Sequence, residues 1–348
     1  MARAKKVVDE VIDDMNEMAE DIEIEDKIKE FIPTGSTLFN LAISDKHDGG
    51  WPCGTMANLI GDSSSGKSLM ALTTFAAMSQ NPKYDDYVFV YDDVEAASAF
   101  SFTNLFGEKA SRRIKTNIIS ATIQDFRRNL FDVINTNKPF VYVLDSFDAL
   151  TSEEEVERTT KDDGGGSYKT EKPKIASEIF RQCVRKMRET NSFLLIVSQT
   201  RDNIGFGAQF NPKIRSGGKA LKFFASIEAW SSMEKTEKKK DLIIGSNVCL
   251  KVTKNKSTGK RREVYFPIYY DIGIDNTTSI VNYLVDKGHW KKEKNSIVAE
   301  DFGITASMPK IIEHIESNNL ENDLDIIVGN VWNSIEDSVK LNRKKRFE

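Results

Sequence analysis

The chain has 348 residues, 39% hydrophobic and 29% charged, with a formal net charge of −4. That is enough apolar material for one large domain or two, and it excludes a protein that holds polyanions by overall positive charge, so any nucleic-acid contact must come from a local basic surface. No apolar run reaches the length of a membrane span and no signal peptide is evident, while three cysteines (Cys53, Cys183, Cys249) and three histidines (His47, His289, His314) lie at no metal-ligating spacing, which suits a reducing cytoplasm.

Residues 1–32 form a charged amphipathic segment, with Val8, Val11, Ile12, Met15 and Met18 at helical spacing among Asp9, Glu10, Asp13, Asp14 and Glu17. It is too poor in apolar residues to make a core and is expected to dock on a neighbouring subunit. Thr34-Gly35-Ser36 reads as a helix-starting turn and His47 to Pro52 as a loop. Met56 to Ile60 reads as a buried strand feeding Gly61-Asp62-Ser63-Ser64-Ser65-Gly66-Lys67-Ser68, which fits G-x-x-x-x-G-K-[ST]. In such a loop successive backbone N–H groups face phosphate oxygens. Lys67 would reach the β- and γ-phosphates of ATP and the Ser68 hydroxyl would ligate Mg²⁺. Lys67 to Gln80 reads as a helix whose positive N-terminal end faces the phosphates.

Strands and helices then alternate. Tyr87 to Asp92, Phe140 to Asp145 and Ser192 to Gln199 are short, solidly apolar strands, with helical periodicity over Ile123 to Thr136 and Lys174 to Thr190. This pattern predicts an α/β fold with a mainly parallel sheet covered on both faces, and ligands at the carboxyl ends of its strands. Lys219 to Ala225 reads as a short helix. Ser226 to Met233, Asn247 to Asn255 and Arg261 to Tyr270 read as an antiparallel extension. Residues 33–275 are therefore taken as the core. Thr278 to Leu284, Met308 to Asn318 and Leu320 to Leu341 read as the helices of a small C-terminal domain over 276–348, anchored by Trp290 and Trp332 and ending in a basic tail, Arg343 to Arg346.

Four groups carry chemistry. Asp145 closes a buried strand 78 residues after Lys67, as expected of a carboxylate that holds Mg²⁺ beside a P-loop. Glu95 follows the strand ending at Asp92-Asp93 and can orient or deprotonate the attacking water. Gln199 opens a long glycine-bearing loop to Gly217-Gly218 that mixes Arg201, Lys213 and Arg215 with Phe206 and Phe210. Cations beside aromatic rings suit single-stranded nucleic acid, and a glutamine at the γ-phosphate can couple nucleotide state to loop order. Lys254 and Lys256 share one face of a strand and can reach the nucleotide of a neighbouring subunit.

Taken together these motifs resemble the RecA family of DNA recombinases. The resemblance is carried by TGS at Thr34 to Ser36, the P-loop, VLDSFDAL (Val143 to Leu150), SQTRDNIG (Ser198 to Gly205), GGKALKFFAS (Gly217 to Ser226), KVTKNK (Lys251 to Lys256) and YYDIGI (Tyr269 to Ile274). It implies a RecA-like P-loop core and a helical homo-oligomeric filament on single-stranded DNA that pairs with homologous duplex DNA and hydrolyses ATP with Mg²⁺ at subunit interfaces, together with single-strand-binding and mediator proteins. It also implies that Glu95 is the catalytic Glu, Gln199 the γ-phosphate sensor and Lys254 with Lys256 the pair acting across the interface. By the same resemblance Phe102 stacks on adenine, Tyr270 lies near a neighbour's nucleotide, and the first DNA-binding loop falls within Glu153 to Pro173. A ring-shaped helicase-type motor and a non-catalytic ATP-binding accessory protein are the alternatives on the same core.

Overall fold

Runs that are apolar at every position become strands with both faces covered. In the computed structural model, which describes residues 30–96, 101–161, 171–203, 213–215, 218–344 and 346, Thr55–Gly61 and Phe140–Asp145 are buried throughout. The expected docking segment 1–32 lies outside the described residues except for its last three positions.

A small antiparallel pair, β1 (Phe31–Ile32) with β2 (Trp51–Pro52), precedes the main sheet. That sheet takes β3 (Thr55–Gly61), β4 (Val88–Asp93), β5 (Ile114–Lys115), β6 (Phe140–Asp145), β7 (Phe193–Asp202), β8 (Lys213–Arg215), β9 (Ile227–Lys239), β10 (Leu242–Asn255), β11 (Glu263–Tyr269) and β12 (Gly273–Ile274). Their order is β12-β11-β10-β9-β3-β7-β6-β4-β5, with β8 hydrogen-bonded to β7. From β9 to β5 the strands run parallel. From β9 to β12 they run antiparallel. The chain is thus an α/β protein with a mostly parallel sheet and an antiparallel extension.

Alternation along each strand divides the core. Val141 and Val143 of β6 and Leu195 and Val197 of β7 join one apolar cluster with α1 (Thr37–Ser44) and α2 (Lys67–Ser79). Tyr142 and Leu144 of β6 and Leu194 and Ile196 of β7 point the other way. There they meet α4 (Ile123–Asn135), α6 (Glu171–Glu189) and α7 (Gly218–Phe224), numbering Phe102–Arg113 as α3 and Glu153–Lys161 as α5. Each fully buried aliphatic or phenyl side chain contributes roughly 1.5–3 kcal/mol, so the sheet edge carrying the loops is held rigidly from both sides.

The antiparallel part is longer than the expected strands. β9 and β10 continue as a protruding hairpin through Lys239 and Leu242, in a stretch whose lysines and glutamates hide strand periodicity. Beyond it come α8 (Asn276–Asp286), α9 (Met308–Ser317) and α10 (Glu321–Ser338). The helical reading of this part omits a three-stranded sheet of β13 (Lys291–Glu293), β14 (Ser296–Ala299) and β15 (Ile304–Ala306). Trp290 and Trp332 are buried in the same apolar cluster as α1 and α2. A polar staple adds to this packing. Glu336 accepts from Arg262 at 2.5 and 2.6 Å and pairs with Lys260 at 3.0 Å. Lys260 also reaches Asp45 at 2.7 Å, and Trp332 Nε1 donates to Asp45 at 3.0 Å.

Candidate nucleotide and nucleic-acid site

β3 delivers Gly61 to the sheet edge, and the loop to Lys67 turns back into the first turn of α2. Two glycines are dictated by space. A Cβ on Gly61 would lie 2.5 Å from the Ser231 carbonyl oxygen and from Ser65 Oγ. Gly66 sits at φ +81°, and its Cβ would meet Ile268 of β11 at 2.6 Å. Lys67 Nζ donates to the Asp62 carbonyl at 2.5 Å, and Ser65 Oγ donates to the same oxygen at 2.8 Å. Burial holds the Lys67 ammonium below its usual pKa, opposed by the negative charges of Asp145, Glu95 and Asp62.

Asp145 is almost fully buried at the end of β6, where Tyr91 Oη donates to it at 3.0 Å and the Ser68 hydroxyl also hydrogen-bonds it. Burial raises its pKa, and the carboxylates of Glu95 and Asp93 push the same way. Glu95 Oε1 accepts from the Ser146 hydroxyl and, at 2.8 Å, from Gln199 Nε2. Gln199 is fixed in turn, because its backbone N–H donates to Asp148 Oδ2 at 2.7 Å and its strand position pairs in register with Gly61. The expected Glu95, Lys67, Ser68, Asp145 and Gln199 are therefore brought to one edge. Ser64 to Leu69, Asp93, Glu95, Asp145, Ser246, Ile268 and Tyr270 line a cleft of about 330 Å³ there.

The donor set fits a magnesium nucleotide. A glycine-cradled loop supplies N–H groups, the Lys67 ammonium rests on a carbonyl of its own loop, and a buried carboxylate stands beside a hydroxyl with other carboxylates nearby. Tyr91, Ser146 and Asp148 are missing from the sequence reading. Tyr91 could have been suspected from its place beside Asp92 in YVFVYD. Asp148 lies one short turn after Asp145.

Other residues fall differently. Phe102 begins α3 and packs edge-on against Tyr91 at 5.9 Å, outside the residues that line the cleft. Tyr270, expected near a neighbour's nucleotide, is 69% exposed and lines this chain's own cleft, just beyond the end of β11. β7 does not end at Gln199. It continues to Asp202 and pairs Thr200, Arg201 and Asp202 with Arg215, Ile214 and Lys213. The long loop thus begins as a hairpin stem. Arg201 is exposed on this stem. Lys213 is bound to Asp62, and Arg215 pairs with Glu228 at 2.5 Å where both are largely buried. Phe206, Phe210 and Gly217 lie outside the described residues, and Gly218 opens α7. Of the expected first loop, Glu153 to Pro173, the two ends are helical, Glu153–Lys161 being α5 and Glu171 opening α6, while 162–170 lies outside the described residues.

Lys254 and Lys256 lie together, as their spacing predicts, near the end of β10. Lys254 Nζ donates to the carbonyls of Lys222 and Phe223, and Lys256 Nζ to that of Phe223 at 3.5 Å, at the C-terminal end of α7. Ser246 lines the cleft, and Lys254 is eight residues further along β10, roughly 27 Å at strand spacing. Neither lysine lines this chain's own cleft.

A family model of the RecA N-terminal domain matches residues 17–275. The RecA protein of Geobacter sulfurreducens is 29% identical over 263 residues, covering 74% of this chain and 72% of that protein. That of Sulfurovum sp. is 28% identical over 307 residues, covering 83% and 84%. A mitochondrial DNA repair protein recA homolog of Dictyostelium discoideum is 31% identical over 271 residues, covering 74% of this chain and 54% of that protein. Among the described residues no helix is long and apolar enough to cross a membrane.

Proposed function

The chain belongs to the RecA family, and from that premise we propose that it is a DNA-dependent ATPase that forms a helical filament on single-stranded DNA and promotes homologous pairing and strand exchange with duplex DNA. At family level it is a recombination and repair protein. The observation that carries the finer reading is the hydrogen bond from Gln199 to Glu95. It joins the residue suited to activate water to the strand that becomes the stem of the basic, aromatic loop.

The P-loop N–H groups, Lys67 and Ser68 would hold the nucleotide phosphates, and Ser68 with Asp145 would hold Mg²⁺, which supplies neutralisation of charge at the transferred phosphoryl group. Glu95 orients and accepts a proton from the attacking water, and the Gln199 and Ser146 hydrogen bonds fix its carboxylate. Lys254 and Lys256 complete the site of the next subunit, and neither lines this chain's own cleft. Arg201, Lys213 and Arg215 meet DNA phosphates, and Arg215 must first exchange Glu228 for its new partner. The segment 1–32 docks on a neighbour, 33–275 is the ATPase core and 276–348 a small C-terminal domain. The setting is a bacterial or phage-infected cytoplasm.

The test is ATP hydrolysis by the full chain with and without single-stranded DNA. Strong stimulation that disappears in Lys67→Ala and in Lys256→Ala is expected. A Lys256→Ala variant with unchanged stimulation removes the role across the interface. Hydrolysis indifferent to DNA supports the helicase-type motor, and binding without hydrolysis supports the accessory protein.

A further inference from the structure

The first variable residue of the P-loop makes a tie that phosphate binding does not require. Asp62 turns its carboxylate away from the nucleotide cleft and accepts from the Thr200 hydroxyl with one oxygen and from Lys213 Nζ with the other. Thr200 is the residue after Gln199, and Lys213 stands opposite Asp202 on the returning strand of the stem. Asp62 therefore grips both strands of the β7–β8 hairpin, while its backbone carbonyl accepts from Lys67. One residue touches the phosphate-binding lysine, the neighbour of Gln199 and a cation of the DNA-binding stem.

Resting on the proposed DNA-binding role of this stem, we propose that Asp62 is a positioning residue that latches the hairpin in its DNA-free arrangement. Its carboxylate occupies Lys213, so single-stranded DNA gains that lysine only by displacing Asp62. The pair is suited to such exchange. Its side chains are 45–46% exposed, and an ion pair so exposed contributes little to stability. Binding of a polyanion that releases counterions outweighs this easily. A buried pair, as Arg215 with Glu228 is, would be far harder to open. Because Thr200 leaves the same carboxylate when the latch opens, the change passes directly to Gln199 and its bond to Glu95.

The experiment measures binding of oligothymidylate to the full chain, without nucleotide, over a series of salt concentrations. The proteins are the parent, Asp62→Asn, Lys213→Gln and the double variant. Asp62→Asn is expected to bind about 2–5-fold more tightly. Lys213→Gln should flatten the slope of log affinity against log salt by about 0.7, the share of one single-strand phosphate contact, whereas Asp62→Asn should keep the parental slope, because the parent makes the same contact once Asp62 is displaced. The gain in affinity should vanish in the double variant, which should bind as Lys213→Gln does. A general loss of structure would weaken binding. Asp62→Asn with parental affinity overturns the latch, as does a gain that survives in the double variant, since that gain would be mere removal of a negative charge. A parent that binds no single-stranded DNA with or without MgATP overturns the recombinase reading, and the latch with it.

Discussion

Two carboxylate clusters, built from the same kinds of side chain, have opposite electrostatics. At the sheet edge Asp145 is buried beside Glu95 and Asp93, and burial with like charge drives its pKa up. At the C-terminal staple Glu336 receives two hydrogen bonds from Arg262 and an ion pair from Lys260, and its pKa falls to about 2. The staple is satisfied within the chain. At the edge Asp145 and Glu95 accept from hydroxyls and an amide rather than from paired cations, so like charge there is hydrogen-bonded but less fully neutralised. Partly neutralised charge of this sort is what a binding site retains and a structural contact removes.

The contrast is broken most directly at its strongest point. Asp145→Asn should lower ATP hydrolysis about 10²–10³-fold, the usual cost of removing one group that stabilises transition-state charge. The same substitution removes a buried, like-charged carboxylate, so the unliganded protein should melt roughly 1–3 °C higher. Steady-state hydrolysis and calorimetry read the two effects. A variant that lost both activity and stability would place Asp145 among structural groups. Trp332→Ala tests the other side. Trp332 is 4% exposed, stacks on Tyr283 at 5.7 Å and bonds Asp45. Its removal should cost about 3–5 kcal/mol in denaturant unfolding, with little change in the rate per folded, assembled subunit.

Much of the edge is legible in the sequence because its signals are local. The glycines and Lys67 lie within eight residues, and Asp145 is marked as the acid that ends a run with no other polar residue than Tyr142. Element bounds along β3, β6 and α4 follow directly from apolar periodicity. What escaped depends on distant partners. Asp62 is 138 and 151 residues from Thr200 and Lys213, and no pattern around the P-loop predicts that grip. Arg215, read as a cation for DNA, finds Glu228 only because β9 pairs beside β3. The strands β13 to β15 escaped for another reason: at three or four residues each they are too short for alternation to register. The edge-on contact of Phe102 with Tyr91 likewise joins α3 to β4, which no local pattern around Phe102 predicts.

The smallest expected effect sharpens the comparison through pH. Glu336 has a folded pKa near 2 against an ordinary value of 4.5, so the folded state holds this proton less tightly than the unfolded chain does. Its contribution is therefore fully present above about pH 4.5 and is lost as pH falls through that range towards 2. Asp145 has the opposite sign. Its raised pKa penalises the folded state while the group is ionised, and acid relieves the penalty. Glu336→Gln should cost about 1–3 kcal/mol at neutral pH, the scale of hydrogen bonds to a charged group. The deficit relative to the parent should shrink steadily on acidification below pH 4.5. Urea unfolding of both proteins over that range measures it. A deficit that stays constant with pH would mean that Glu336 holds α10 by packing, and that the staple is not the charge-satisfied counterpart of the nucleotide edge.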